Sequence, residues 1–180
     1  NNDLGVKYSL NDYVLKATAK ALKNNKHILV SLDGDQIIKR AHVNIGMAVA
    51  LEDGLIVPVI KDADKMSLGE ISEAARDLAE RARTNKLSMD EYKGSTFSIS
   101  NLGMFGVETF NPIINQPDAG ILGVCAVQDE LVMDDAGAIT KRQFMRISFT
   151  FDHRLIDGAT AAKFELAIRD LMEHPMQILL

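Results

Sequence analysis

Apolar residues recur at helical spacing in three stretches of the chain. The first stretch follows Ser9 and ends near residue 24, and the second follows Ser67–Glu70 and ends near residue 84. A serine followed three residues later by an acidic residue is typical of a helix start. The third stretch begins at Ala159, and its apolar positions are Phe164, Ala167, Ile168, Leu171 and Met172. Such a stripe buries one face of a helix, so the pattern predicts three amphipathic helices packed on a core.

Shorter apolar or alternating runs between these helices predict strands. The runs are 27–32, 36–39, 43–49, 55–60, 95–103, 119–127, 131–133, 139–145 and 147–152. Pro58 lacks a backbone donor and therefore indicates an edge or bulged strand. Residues 119–127 are apolar at nearly every position, which predicts a central strand buried on both faces. The order of helices and strands predicts an α+β fold, a mixed β-sheet with helices packed on it.

Length and composition narrow the class of protein. The 180 residues allow one domain, and a net charge of −5 without a basic stripe argues against a nucleic-acid partner. No apolar run approaches the ~20 residues that a membrane span needs. Residues 1–5 show neither a basic region nor an apolar core, so no signal peptide is visible. Met176 to Leu180 form an apolar end, which we expect to be docked on this chain or on another subunit.

Metal and disulfide chemistry have no sequence signal here. Cys125 is the single cysteine, which excludes internal disulfides and a Cys-pair zinc site, and its apolar surroundings predict a small buried side chain. The histidines and carboxylates show no metal-ligand spacing, so we predict no metal. Glycine-rich phosphate loops and serine nucleophile elbows are absent from the sequence as well.

One histidine is placed for chemistry. Within residues 147–158, His153 lies at the end of a strand with alternating apolar residues. Asp157 follows just before the third helix. Rigid flanking elements would fix the imidazole for proton transfer. The alternative is a satisfied histidine at a strand end with Asp157 as a plain helix N-cap. His27, His42 and His174 fit structural roles better.

Ser100 is the candidate hydroxyl. It lies where a strand runs into a glycine turn, a position that presents a side chain, and its alternative role is that of a turn-forming serine. The following residues 104–117 combine glycines and prolines with apolar residues. We expect this loop to form a channel wall or a contact with a partner.

The chain resembles the dihydrolipoamide acyltransferases, the core components of 2-oxoacid dehydrogenase complexes. The resemblance starts from the His-x-x-x-Asp-Gly signature in residues 152–158 and spans the whole chain; the other matching motifs are 44–49, 54–60, 96–106, 112–117 and 179–180. The related chloramphenicol acetyltransferases share the signature but usually carry a second histidine at the position of Asp152. Asp152 with Arg154 therefore favours the acyltransferase core.

The resemblance implies a fold, an assembly and a domain content. The fold is chloramphenicol-acetyltransferase-like and assembles as trimers, which can build 24- or 60-subunit cores in this family. Residues 1–180 would be the acyltransferase catalytic domain without its N-terminal part and without the lipoyl and subunit-binding domains. The partners implied are the lipoyl domain, the decarboxylase and dihydrolipoamide dehydrogenase, in the bacterial cytoplasm, which we favour, or in the mitochondrial matrix.

The resemblance also implies a mechanism between coenzyme A and a lipoyl group carried on a separate domain. Neutral His153 would take the proton from the attacking thiol, and the Ser100 hydroxyl would stabilise the tetrahedral oxyanion, from a neighbouring subunit. Asp157 would hold the loop through an arginine. The positions implied for contacts with coenzyme A are Asn101, Gly103, Asp152 and Arg154.

The sequence also favours one acyl group and leaves two alternative functions open. Residues 101–106 are similar to those of acetyl-transferring members, of pyruvate or acetoin complexes, rather than succinyl-transferring ones. The first alternative is a structural core fragment without catalysis, and the second is a free-standing small-molecule acetyltransferase. Binding of coenzyme A and the choice of acyl acceptor distinguish the three.

Overall fold

The computed structural model describes residues 7–179, so residues 1–6 and 180 lie outside the description. Within the described residues the chain forms four α-helices, namely α1 (Leu10–Asn24), α2 (Leu68–Arg83), α3 (Gly158–Glu173) and α4 (Met176–Leu179). The same residues form nine strands, namely β1 (Val30–Asp33), β2 (Gln36–Lys39), β3 (Ile45–Met47), β4 (Val49–Leu51), β5 (Gly54–Ile56), β6 (Val59–Ile60), β7 (Phe97–Asn101), β8 (Gly120–Met133) and β9 (Ile139–Phe151). The α+β prediction is confirmed.

A mixed sheet organises the described part of the chain. Five strands lie in the order β6-β3-β7-β8-β9, while β1-β2 and β4-β5 form separate hairpins. The β3–β7 and β7–β8 pairs are parallel, and the other pairs of the sheet are antiparallel. In β8, the first seven residues are buried and β7 and β9 flank it, as predicted for a central strand.

The helices cover one face of this sheet. The rings of Phe97 (β7) and Phe149 (β9) pack on Phe164 of α3 with centroids 5.4 Å and 5.2 Å away. Asn101 at the end of β7 donates a hydrogen bond to Asn11 of α1 at 3.0 Å. Because side chains alternate along a strand, Ser98 and Ser100 point to the opposite face.

The predicted helix starts are confirmed as capping boxes. Ser9 and Asp12 bond each other's backbone N–H groups at α1, and Ser67 with Glu70 does the same at α2. The buried carboxylate of Asp12 also accepts a hydrogen bond from Ser72 of α2 at 3.0 Å, which ties the two helices together.

Several predicted strands differ from the structure in their bounds. The runs 119–127 and 131–133 are one continuous strand, β8, and the runs 139–145 and 147–152 are one strand, β9. The run 27–32 begins as a 3₁₀ turn over Lys26–Ile28, so β1 starts only at Val30. The run 43–49 is broken at Ala48, which donates its N–H to Ile99 of β7 while the chain turns into β4. The run 55–60 splits into β5 and β6 around Pro58, and β6 is an edge strand as Pro58 indicates.

The strands β8 and β9 continue past the sheet as a hairpin arm, residues 127–145. Its turn carries Asp134–Gly137, close to the predicted turn. Three apolar side chains of the arm are 74–75% exposed, namely Leu131, Met133 and Ile139. At the C-terminal end Ile178 of α4 is buried in the chain's own core, whereas Leu180 lies outside the described residues. None of the helices in the described residues has the length and apolar character of a membrane span.

Candidate active site

His153 lies on an exposed turn between β9 and α3. The turn is closed by the backbone carbonyl of Asp152, which accepts from the N–H groups of Leu155 and Ile156 at 2.9 Å and 3.0 Å. Ile156 is 2% exposed and anchors the other end. The imidazole stacks against Phe151, with ring centroids 5.6 Å apart, and within the described residues it makes no hydrogen bond. The turn therefore presents the ring to solvent.

Asp152 and Arg154, both predicted to contact coenzyme A, pair with each other. The guanidinium Nη2 and Nε of Arg154 lie 2.5 Å and 2.9 Å from the carboxylate oxygens of Asp152. Hydrogen bonds from Arg154 hold the pKa of Asp152 below its usual value. This pair stiffens the His153 turn, and Arg154 remains exposed beside the imidazole.

Asp157 caps helix α3. Its carboxylate accepts from the backbone N–H of Thr160 at 2.9 Å and from the Thr160 hydroxyl at 2.8 Å. These bonds lower the pKa of Asp157. Among residues 7–179 no ion pair joins Asp157 to an arginine, so the plain N-cap reading describes this chain's own contacts. The arginine contact stays a prediction.

Ser100 lies half-buried near the end of β7 and lines a cleft of about 1050 Å³. The cleft lies between α1, α2, the β4–β5 hairpin and the 3₁₀ turn over Gly103–Phe105. In the described part of the chain the Ser100 hydroxyl makes no hydrogen bond. It is therefore free to donate a hydrogen bond to an oxyanion.

Asn101 and Gly103 are hydrogen-bonded to each other. The Asn101 side-chain oxygen accepts the Gly103 N–H at 2.9 Å, while its amide donates to Asn11. A Cβ on Gly103 would lie 2.7 Å from the carbonyl oxygen of Cys125, so only glycine fits against β8. Both residues line the cleft. Their observed bonds shape the turn after Ser100, and their contact with coenzyme A stays a prediction.

Two cleft residues had no counterpart in the sequence predictions. Arg76 and Arg83 lie two helical turns apart on one face of α2, and both side chains line the cleft. The spacing of seven residues was visible in the sequence, but nothing there indicated that this face borders the Ser100 cleft. A pair of exposed guanidinium groups fits an anionic, phosphate-bearing ligand.

His153 and Ser100 lie far apart within one chain. Ser100 is in register with Gly123 of β8, and Gly123 with Ser148 of β9. His153 follows Ser148 by five residues along β9 and its turn, and β9 is two strands from β7. Standard strand dimensions separate the two residues by roughly 15 to 20 Å. The His153 ring also stacks on Phe151, which lies beside Phe149 on the helix-covered face, whereas Ser100 points to the other face. One chain therefore cannot bring the two groups together.

A buried polar cluster lies on the sheet face opposite the helices. Asp118 is 4% exposed, and its carboxylate accepts from Ser98 at 2.6 Å and from Ser95 at 2.9 Å. Asn115 donates to the Ser98 hydroxyl at 3.3 Å. Burial raises the pKa of Asp118 to about 6, against the two serine hydrogen bonds and the charge of Arg40, which lower it. The cluster fixes the loop 107–118 against β7, two residues from Ser100.

Asp118→Asn is expected to remove a pH-dependent loss of folding stability that the buried carboxylate causes in the wild type. Below its ordinary pKa of 3.8 the carboxyl is protonated in both the folded and the unfolded state. Above about pH 6 it is charged in both states, and only the folded state carries the desolvation penalty. The wild type should therefore lose stability relative to the variant between about pH 4 and pH 7, by up to about 3 kcal/mol. Urea unfolding at both pH values measures the gap.

Asp53→Asn, in an exposed turn, controls for removing one surface carboxylate. A gap between Asp118→Asn and the wild type that stays constant with pH would show that burial of Asp118 does not carry this penalty.

The structure gives no direct sign of a metal. Among residues 7–179 there is no group of three or more His, Cys, Asp or Glu side chains close enough to hold one ion. Cys125 is a buried free cysteine, as predicted from its apolar surroundings. The expectation of a metal-free reaction stays a prediction.

Sequence comparison assigns the chain to a family. Residues 1–180 match the 2-oxoacid dehydrogenases acyltransferase (catalytic domain) family. The acetyltransferase component of the Zymomonas mobilis pyruvate dehydrogenase complex is 45% identical over 175 residues. The succinyltransferase component of the Rickettsia typhi 2-oxoglutarate dehydrogenase complex is 43% identical over 175 residues. These alignments cover 97% of this chain but only 39% and 44% of the two relatives, so the chain spans less than half of their length.

Solved structures show the same fold. The cubic core of a pyruvate dehydrogenase multienzyme complex has a TM-score of 0.90 at 40% identity, over 99% of this chain and 74% of that one. Azotobacter vinelandii dihydrolipoamide acetyltransferase, studied for a serine, a histidine and an asparagine in its mechanism, matches at 0.90 and 39%, with the same coverage. Chloramphenicol acetyltransferase matches at 0.58 and 14%, over 91% of this chain and 78% of that one, which shows a shared fold. The chain therefore belongs to the catalytic-domain family of the 2-oxoacid dehydrogenase acyltransferases.

Proposed function

We propose that the protein transfers an acetyl group between coenzyme A and dihydrolipoamide in a pyruvate- or acetoin-type dehydrogenase complex. The proposal rests mainly on His153, an exposed imidazole on a turn fixed at both ends, and on a Ser100 hydroxyl that makes no hydrogen bond within the described residues. The two groups have the chemistry of a general base and an oxyanion donor. Family membership supports assigning them to acyl transfer.

His153 would act on the attacking thiol. An ordinary thiol and an ordinary imidazole differ by about two pKa units, roughly 2.7 kcal/mol, which is small enough for general-base catalysis near neutrality. The neutral imidazole takes the thiol proton as sulfur attacks the thioester carbonyl. The protonated imidazole then returns the proton to the leaving thiolate when the tetrahedral intermediate collapses. No net proton or metal is needed.

Ser100 would donate a hydrogen bond to the oxyanion of that intermediate. Its hydroxyl has no competing partner among the described residues, and one such donor is worth roughly 2.7–4 kcal/mol of barrier lowering. The exposed guanidinium groups of Arg76 and Arg83 line the same cleft and fit the phosphates of coenzyme A. The two arginines line the cleft on the side of α2, whereas the Ser100 side chain points to the sheet face away from the helices.

The active site would form between subunits. Since one chain holds His153 and Ser100 roughly 15 to 20 Å apart on opposite faces, a shared site needs His153 of one subunit and Ser100 of the next. Such a head-to-tail contact closes into a ring, which fits the predicted homotrimer. The exposed apolar side chains of the hairpin arm, Leu131, Met133 and Ile139, support burial against a neighbour. We propose the lipoyl domain, decarboxylase and dihydrolipoamide dehydrogenase as partners of the larger complex.

The choice of acetyl rests on residues 101–106, because relatives named for acetyl and for succinyl transfer match this chain about equally well. The test is acylation of dihydrolipoamide by acetyl-, succinyl- and isobutyryl-coenzyme A in parallel. Acetyl is expected to give the highest kcat/KM. Preference for succinyl would overturn the acetyl assignment, and binding of coenzyme A without any transfer would favour the structural-core alternative.

A further inference from the structure

Phe110 occupies a notch in the sheet that Gly123 creates. A Cβ on Gly123 would lie 3.1 Å from the ring tip of Phe110 and 3.0 Å from the ring of Pro112. Both values are tighter than ordinary van der Waals contact. The absence of a side chain at this position of β8 therefore lets the loop 107–118 lie directly on the sheet.

The ring tip of Phe110 lies over a register row of the sheet that includes Ser100. The backbone carbonyl of Phe110 accepts a hydrogen bond from Ser148 of β9 at 2.7 Å, whereas its ring tip lies over Gly123 of β8. Ser100 of β7 is the next residue in the same register row. Neighbouring strands are about 4.8 Å apart, so the ring tip lies within about 8 Å of the Ser100 Cβ, on the same face.

The position of this ring is fixed from several directions. Ser148 holds its backbone, Gly123 and Pro112 border it, and the Asn115–Ser98 hydrogen bond with the buried Asp118 cluster holds the end of the loop. An aromatic ring held this way is a rigid wall within about 8 Å of the proposed oxyanion donor. A thioester carbonyl that accepts from Ser100 would lie on this face, so an acyl chain extending along the row would approach the ring.

We propose that Phe110 is a specificity-determining residue that limits the length and polarity of the acyl group beside Ser100. Acetyl ends before the ring. A branched acyl group such as isobutyryl meets the ring, and the second carboxylate of succinyl would be desolvated against it without a compensating partner. The inference rests on the proposed function and assigns its selectivity to one side chain.

The test measures selectivity in Phe110→Ala and Phe110→Leu, with dihydrolipoamide as acceptor and acetyl- or isobutyryl-coenzyme A as donor. The ratio of the two kcat/KM values is independent of the fraction of protein that folds, so partial misfolding does not obscure the result. Phe110→Ala is expected to raise the isobutyryl-to-acetyl ratio at least about tenfold, the effect of removing apolar bulk from a binding pocket. Phe110→Leu is expected to give an intermediate ratio.

Ile113→Ala is the matched control, because Ile113 lies on the same loop but is 90% exposed. Its ratio should equal that of the wild type. An unchanged ratio in Phe110→Ala, or a wild type that uses isobutyryl as well as acetyl, overturns the role of Phe110 while leaving acyl transfer intact. A wild type that transfers none of the acyl groups overturns the proposed function itself.

Discussion

Replacing His153 by alanine is expected to lower kcat for acetyl transfer at least a hundredfold, because the attacking thiol loses its general base. The variant should fold normally, since the turn is held by the Asp152 carbonyl and by buried Ile156 rather than by the imidazole. Ser100→Ala is expected to have an effect of similar size through loss of the oxyanion donor. Steady-state kinetics with acetyl-coenzyme A and dihydrolipoamide measures both.

Two matched variants separate these effects from a general loss of protein. His174→Ala removes an exposed histidine at the end of α3 whose ring nitrogen lies 3.0 Å from the Asp170 carbonyl. Ser88→Ala removes an exposed serine outside the cleft. Both should retain wild-type turnover. Turnover near the wild-type level in His153→Ala or Ser100→Ala would remove that residue from the mechanism.

Mixing the two inactive variants is expected to restore activity. If each site takes its histidine from one subunit and its serine from the next, a mixed ring contains some sites with both residues intact. For equal amounts and random assembly, about one quarter of the sites are complete, so activity should recover to about a quarter of wild type. The experiment is co-expression or joint refolding of His153→Ala with Ser100→Ala, carrying different affinity tags.

The two affinity tags ensure that activity is measured on assemblies that contain both variants. Sequential purification on both tags isolates mixed assemblies, and their activity is compared with that of each variant alone. Mixed assemblies that remain as inactive as the single variants would contradict a site shared between neighbouring chains. Recovery would also explain why the two groups lie so far apart in one chain.

The helices and the central strand follow from local pattern. The capping boxes at Ser9 and Ser67 form because a hydroxyl and a carboxylate three residues apart complete each other's bonds without help from the rest of the fold. The strand bounds were less predictable. The break at Ala48 depends on its hydrogen bond to Ile99, a partner about fifty residues further along the chain.

For the candidate site too, one part follows from the sequence and another part only from the structure. Sequence pattern and resemblance select His153 and Ser100, and the structure places the first on an exposed turn and the second in a cleft. Their roles in catalysis remain predictions. Asp118 had no sequence signal, because its serine partners approach from β7 and from the residues just before it, after the chain has folded back.

The sequence by itself determined the three long helices, the buried central strand and the family, and it predicted the pair of residues proposed for acyl transfer. Periodicity, caps and motifs are local properties, so they can be read along one chain. The tertiary structure alone decided that His153 and Ser100 lie at opposite ends and faces of the sheet, and that Phe110 lies over Gly123 beside Ser100. Those relations depend on strand register and on loop packing, which link residues distant in sequence and leave no local pattern.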